Sequence, residues 1–264
     1  MVMALVQHTA DSYYGRMEVA TESHSYTVLM LGDVFGQPGL DAVRTHLPAL
    51  IADRQPDLVL ANAENAAGGF GLTRECADEL FACGIDVLTG GNHSWEKKGS
   101  RELLDSDSRI LRPGNYPPGL PGSGVCRLEK AGVSWLVLNL QGRERMKPID
   151  CPFRHADAML AELDQMPAKD RPLIVVDFHA ESFQEKEALG LYLDGRVSVV
   201  AGTHTHVRTM DQRILPQGTG YLGDLGMCGP LDSVIGVDAH TCVQRNLSQM
   251  PLKMESAQGQ ARLS

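Results

Sequence analysis

Five short apolar runs of strand length punctuate this chain, and each ends in residues able to ligate a metal. Ser25–Leu31 leads into Gly32-Asp33, and Leu58–Asn62 leads into Ala63-Glu64-Asn65. Ile85-Asp86-Val87-Leu88-Thr89 leads into Gly90-Gly91-Asn92-His93. Leu173–His179 closes on its own histidine, and Val199-Val200-Ala201-Gly202-Thr203 runs into His204-Thr205-His206. Uninterrupted runs of this length read as strands buried on both faces, which occur in parallel sheets covered by helices. Helical patterns do separate the runs. Leu40, Val43, Leu47 and Leu50 follow Pro38, a proline suited to a helix start. Thr73 can cap a helix reaching about Cys83, with Glu75 and Asp78 in its early turns. Further helices are expected at about 154–165 and 182–192. Alternating units of this kind give a layered α/β domain. Their strand ends then share one edge, where open α/β sheets bind ligands.

The remaining segments read less sharply. Strands at about 124–130 and 133–140 face each other across Ala131-Gly132, a hairpin signal. Segment 106–123 is rich in Pro and Gly and reads as loop, and from 210 onward the chain reads as short strands and turns. Residues 1–25 lack periodicity and are expected to be a disordered leader or a cloning remnant, leaving 26–264 as a single domain. Gly218-Thr219-Gly220-Tyr221-Leu222-Gly223 matches a dinucleotide-binding fingerprint by letter only. Further glycines and Pro230 follow it where a helix would be required.

Composition removes several function classes. The net charge of −9 argues against a broadly basic nucleic-acid surface. Six cysteines without a C-x-x-C spacing argue against a zinc ribbon or thioredoxin-type motif, and are expected as reduced thiols in a cytoplasmic protein. Met1 to Ala10 lacks the positive start of a signal peptide, and no apolar run reaches transmembrane length, so no membrane partner is expected.

Taken singly, the strand-end residues have bland readings: a lone Asp is usually a helix cap or turn residue, and a lone His is usually structural. Turn chemistry at all five ends would use Ser, Thr, Gly and Pro more freely. In an extended segment His204 and His206 point to the same side. The set mixes carboxylate, amide and imidazole without thiolate, which suits Mn, Fe or Zn. Seven such residues exceed one tetrahedral ion and suit two ions sharing a carboxylate, the arrangement of many phosphatases and nucleases.

The ordered set Gly32-Asp33, Glu64-Asn65, Gly91-Asn92-His93, His179 and Gly202-Thr203-His204-Thr205-His206 resembles the calcineurin-like metallophosphoesterases. Within them it resembles the YmdB-like bacterial branch of cyclic-nucleotide phosphodiesterases, from about Val28 to about Met254. Leu31-Gly32-Asp33-Val34-Phe35-Gly36 and Asn62-Ala63-Glu64-Asn65-Ala66 carry the likeness to that branch. The wider superfamily begins with Asp-x-His and uses a second Asp. Phe35 and Glu64 depart from this, as the YmdB-like branch does. The sequence ends at Ser264, where the family usually continues into a final strand or two.

The resemblance implies a four-layer α/β/β/α sandwich and two metal ions, iron first, manganese as a working substitute and zinc behind them. It implies that Asp33, Glu64, Asn65 and His206 hold one ion. Glu64, Asn92, His179 and His204 hold the other, with Glu64 bridging. It further implies hydrolysis of 2′,3′- and 3′,5′-cyclic nucleotides by a metal-bridging hydroxide, with His93 as general acid. Such acid catalysis is worth about 10²–10⁴-fold. A broad phosphatase, an RNA phosphodiesterase and a regulatory scaffold acting through partners are the alternatives. The expected partner is a small phosphodiester, with short RNA and a second copy of the chain left open. Candidate substrate contacts are Gly69, in the glycine-rich Ala67–Gly71 stretch, and Arg143 and Arg145, beside Lys147. A mobile turn and a solvated loop are their bland readings.

Overall fold

The structure is a computed structural model that describes residues 2–7, 25–167 and 170–264. Strand β1 (Val2–Gln7) lies antiparallel to β2 (Ser25–Leu31), residue against residue along its whole length. The expected leader is therefore crossed by a strand, since β2 would otherwise present an unpaired edge. Residue 1 and residues 8–24 of that leader lie outside the described residues. The chain continues through β3 (Asp33–Val34), α1 (Gly36–Arg54), β4 (Leu58–Asn62), α2 (Arg74–Ala82), β5 (Val87–Thr89) and α3 (Ser100–Ser106). Thr73 caps α2 as its sequence suggests, accepting from Cys76 N. Strands β2, β4 and β5 pair in parallel, giving a sheet in the order β1-β2-β4-β5.

The second half builds a larger sheet. β6 (Val125–Lys130) and β7 (Val133–Gln141) form the expected hairpin, with Ala131 and Gly132 both at positive φ. After α4 (Pro152–Leu160) come β8 (Leu173–His179), α5 (Phe183–Tyr192) and β9 (Val199–Thr203). β7, β8 and β9 are parallel neighbours. β10 (Arg213–Ile214) and β11 (Gly220–Leu222) complete the order β10-β11-β9-β8-β7-β6. The middle of the decoy glycine motif, Gly220–Leu222, is thus strand β11. A third small sheet joins β3 to β12 (Met227–Pro230) and β13 (Ala261–Arg262), so the last residues do pair as a strand. Between them lies α6 (Ala239–Ser248), a helix where the sequence suggests only strands and turns. Ala239, Cys242, Val243 and Leu247 recur in it at helical spacing, but only Cys242 is buried, while Val243 and Leu247 are exposed.

Three aliphatic clusters hold these elements together. One lies between the two large sheets, where Val28, Met30, Leu58 and Leu60 meet Trp135, Val137, Val175 and Val199. A second packs α1, α2 and α3 on the outside of the smaller sheet, and a third packs α4 and α5 on the outside of the larger one. The result is a mixed α/β fold. Strand alternation decides which residues face the inter-sheet layer. Toward the carboxyl ends of β4, β5, β7, β8 and β9 that layer turns polar, with Asn62, Thr89, Asn139, Asp177, His179 and Thr203 all buried. No helix among the described residues is long and apolar enough to cross a membrane.

Candidate metal centre at the sheet edge

All eight residues expected from the strand ends meet where the two large sheets share an edge. His179, the last residue of β8, is fully buried, and its Nε2 is the hub of one half. It lies 3.1 Å from Glu64 Oε1, 3.1 Å from Asn92 Oδ1 and 3.0 Å from His204 Nδ1. Glu64, His179 and His204 could hold a metal ion. The chain passes closely here: a Cβ built on Gly91 would run into Glu64 Oε2 and His179 Nε2, so only glycine fits.

Buried polar groups behind His179 fix its orientation. Thr203 Oγ1 donates to Asp177 Oδ1 at 2.7 Å, and Thr89 Oγ1 donates to Asp177 Oδ2. With its one proton so committed, Thr203 Oγ1 accepts from His179 Nδ1 at 2.9 Å. That places a proton on Nδ1 and points Nε2 at the carboxylate, amide oxygen and second imidazole. Such an outer partner commonly sets the tautomer of a metal-binding histidine. Asn62 ties the network across the sheets, donating to Gly90 O and Asp177 Oδ2, each at 3.1 Å.

The other half surrounds His206. Its Nδ1 lies 2.7 Å from the carbonyl of Ile235, which can only accept, so Nδ1 carries the proton. Nε2 then faces Asn65 Nδ2 at 3.2 Å and Asp33 Oδ1 at 3.7 Å. Asp33 Oδ2 accepts from His204 N at 3.0 Å, and Asn65 Nδ2 donates to Glu64 Oε1 at 3.2 Å, which links the halves. The turn between the histidines hangs on a buried ion pair. Lys186 Nζ meets Asp224 Oδ2 at 2.7 Å, and the same oxygen accepts from Thr205 N and Oγ1. His204 and His206 sit at φ 99° and 64°, and Ile235 at φ 49°. Non-glycine residues held there cost about 1–3 kcal/mol each and cluster at functional sites. Phe35, at the place of the superfamily histidine, packs edge-on to His206 with ring centroids 5.4 Å apart. A cleft of about 450 Å³ opens beside His206, between Arg208, Met210, Ile235 and Arg262.

The electrostatics match a site for cations. Burial works against charge on Asp33 and Glu64, yet His206 and His179 hold the respective carboxyls below their usual range. Burial likewise opposes charge on His179, but Glu64, Asp33 and Asp177 outweigh it and raise that imidazole to about 9. Burial, then the charge on His179, lowers His204 to about 3. Burial raises Asp177 to about 6 against the hydrogen bonds it accepts. One proton on His179 Nε2 thus stands among three electron-rich atoms, the place a cation would take.

His93 lies beside this cluster. Its backbone N donates to Glu64 Oε2 at 3.0 Å, and its ring meets Phe70 edge-on at 5.2 Å. Its Nδ1 is buried without a hydrogen bond, 3.6 Å from Glu96 Oε1. Of the three candidate substrate contacts, Gly69 adjoins the cluster, its N donating to Asn65 O at 3.0 Å. Gly69, at φ 94°, turns against Phe35 and Ser256, where a Cβ would stand 3.0 Å from each. Arg143 and Arg145 are exposed. The Arg143 guanidinium donates to Cys151 Sγ at 3.4 Å. The Glu185 carboxylate accepts from the backbone N of Arg143 and Glu144, pinning that loop. Sequence reasoning missed Asp177, Thr203, Asp224 and Lys186. Polar residues inside otherwise apolar strands were the available signal for the first two.

The chain has counterparts of similar sequence and fold. The sequence family described as YmdB-like protein matches residues 29–264. The chain belongs to the YmdB-like family. A relative in Bacillus subtilis (strain 168), a 2′,3′-cyclic-nucleotide 2′-phosphodiesterase, is 44% identical over 237 residues, covering 90% of this chain and 88% of the relative. A crystal structure of a hypothetical protein from Thermus thermophilus superposes with TM-score 0.83 at 47% identity, covering 89% of this chain and 90% of that one. A Mycoplasma pneumoniae protein, described as a novel phosphatase, gives TM-score 0.83 at 32% identity over 91% of this chain and 86% of its own.

Proposed function

We propose that this chain is a dinuclear metal-dependent phosphodiesterase that opens 2′,3′-cyclic nucleotides, with 3′,5′-cyclic nucleotides as a second substrate class. It is a hydrolase of phosphoric ester bonds, as its phosphodiesterase and phosphatase relatives are. The observation that carries the reading is the aim of His179 Nε2 and His206 Nε2. Each imidazole keeps its proton on Nδ1 and turns the other nitrogen toward a buried carboxylate. Asp33, Glu64, Asn65 and His206 would hold one ion, and Glu64, Asn92, His179 and His204 the other. The donor set has no thiolate, which favours iron or manganese over a structural zinc. The free cysteines support the cytoplasmic location expected from sequence. The outer helices on both sheets support the reading as a four-layer sandwich.

Two ions so held would lower the pKa of a water and neutralise the phosphate oxygens. The chain supplies the rest. Asp33, Glu64, Asn65 and His179 are buried, so charge interactions at these positions are stronger than in water. The positive-φ turn at His204 to His206 fixes its donors before substrate arrives, so little reorganisation is left to the reaction. His93 would protonate the departing 2′ oxygen. Its Nδ1 faces Glu96, leaving Nε2 to give the proton. The cleft beside His206 falls within the volume range of small-molecule sites.

The test is to load the purified protein with Mn²⁺ or Fe²⁺, count metal per chain, and assay a 2′,3′-cyclic nucleotide, a 3′,5′-cyclic nucleotide, an aryl phosphate and short RNA. Two ions per chain are expected, with 2′,3′-cyclic turnover falling about 10²–10⁴-fold in His93→Ala. Less than one ion per chain after loading, with no turnover, overturns the reading.

A further inference from the structure

Beyond the metal-binding set, one fully buried polar side chain finds no partner among the described residues. Neither amide atom of Gln141 makes a hydrogen bond, although the residue is 0% exposed. Buried amides are normally paired, and one left unpaired in a native fold needs an explanation. The backbone of Gln141 is held firmly. Asn115 Nδ2 donates to its carbonyl at 2.8 Å, and its N donates to Asn115 Oδ1 at 2.9 Å.

Strand geometry says where this amide stands. In β7, Leu136, Leu138 and Leu140 pack outward against the helices, while Trp135 and Val137 belong to the inter-sheet layer. Gln141 continues the inward series, as His179 does in β8 after Val175, and the two residues are register partners. Two residues earlier, Asn139 Oδ1 accepts from Gly90 N at 2.9 Å. Gln141 therefore lies roughly 6–7 Å further along the strand, level with the turn that carries Asn92 and His93. Along the sheet edge it flanks His179 on the side opposite His204 and His206.

The amide's chemistry limits what it can bind. A phosphate oxygen accepts only, and would leave Oε1 without a donor. A sugar hydroxyl or a base edge both donates and accepts, and satisfies Nε2 and Oε1 together. We infer that Gln141 is a substrate-binding residue whose amide pairs with the nucleoside part of the substrate, beside His179. The inference rests on the phosphodiesterase reading and adds the nucleoside contact to it.

The experiment compares metal-loaded wild type, Gln141→Met and Gln141→Ala. The substrates are the four common 2′,3′-cyclic nucleotides and bis-p-nitrophenyl phosphate, a diester with no sugar or base. Gln141→Met keeps the volume of the side chain and guards against a folding artefact, which thermal unfolding checks. The expected result is a rise of about tenfold in KM for cyclic nucleotides. Their kcat/KM should fall by about that factor relative to the aryl diester. An equal fall across the four bases assigns the contact to a sugar hydroxyl, and an uneven one to the base edge. Gln141→Met should also unfold no lower than wild type, because no protein hydrogen bond is lost. An unchanged substrate ratio in a working wild type overturns this inference alone. A wild type inactive on every cyclic nucleotide overturns the functional reading, and this one with it.

Discussion

The two halves of the candidate ligand group are held by opposite means. His179 ends a central strand, is sealed from solvent, and takes its orientation from Thr203 on the neighbouring strand, itself held by Asp177 two residues back on the strand of His179. His206 sits on a loop at positive φ beside an open cleft, and takes its orientation from one main-chain carbonyl. That carbonyl belongs to Ile235, itself at positive φ in a two-residue turn closed by Val234 and Val237. The first half is fixed because any other arrangement would unpair buried polar groups. The second is fixed by strained backbone that its surroundings over-determine. One half should therefore fail with the fold, and the other should fail alone.

Replacing His179 puts the greatest load on that contrast. His179→Ala leaves Glu64 buried without its charge partner, and is expected to cost about 3–5 kcal/mol of stability, read by denaturant unfolding. Metal retention should drop in the same variant. Wild-type stability there would remove the distinction between the halves.

The pH response should be the next largest effect. His179 rises from 6.5 to about 9 on folding, so the stability it gives the metal-free protein is full below about 6.5 and lost as pH climbs through 9. His206 shifts in the same direction. Asp33 and Glu64 are lowered, so their contribution is present above their ordinary values and lost in acid. On the proposed reading a cation would have to displace the Nε2 proton of His179, so metal affinity should climb with pH until about 9. Titrations of metal affinity at several pH values read this, and a flat profile from pH 7 to 9 would contradict it.

His206→Ala should act more locally. The expected outcome is one ion per chain instead of two and a stability loss of about 1–2 kcal/mol, because Asp33 keeps its bonds from His204 N and Asn65. Elemental analysis alongside a thermal melt distinguishes this from a global effect. The smallest change is expected from Ile235→Asn. Asparagine tolerates positive φ at such a turn, so stability should rise by up to about 1 kcal/mol with metal content unchanged. A loss of the His206-side ion in this variant would mean that the isoleucine itself, and not only its carbonyl, holds the loop.

Much of this arrangement was legible because parallel strands deliver their last residues to one edge. The apolar runs ending at Asp33, Glu64, Asn92, His179 and His204 announced parallel strands and a shared edge, while their division between two sheets followed only from the family resemblance. The supporting network was harder to read. Asp177 and Thr203 sit within apolar strands, and only an alternation shared with His179 marks them as facing the same layer. Gln141 was hidden in the same way, by a register that sequence does not give. Helix α6 escaped although the Asp238 cap and the helical spacing of Ala239, Cys242, Val243 and Leu247 were there to be read, because the short run is broken by polar residues and buries only Cys242. The strand at Val2–Gln7 needed knowledge of the edge it covers.

The hydrogen bond from His204 N to Asp33 joins residues 171 positions apart. A ribosome adding about 5–20 residues per second needs roughly 10–35 s to make that interval. Asp33, Glu64 and Asn65 are made early in that interval, more than 100 residues before His179, the first of the histidines that face them. The group is therefore completed late in synthesis, and before His179 is made it offers only carboxylate and amide donors on an unfinished sheet.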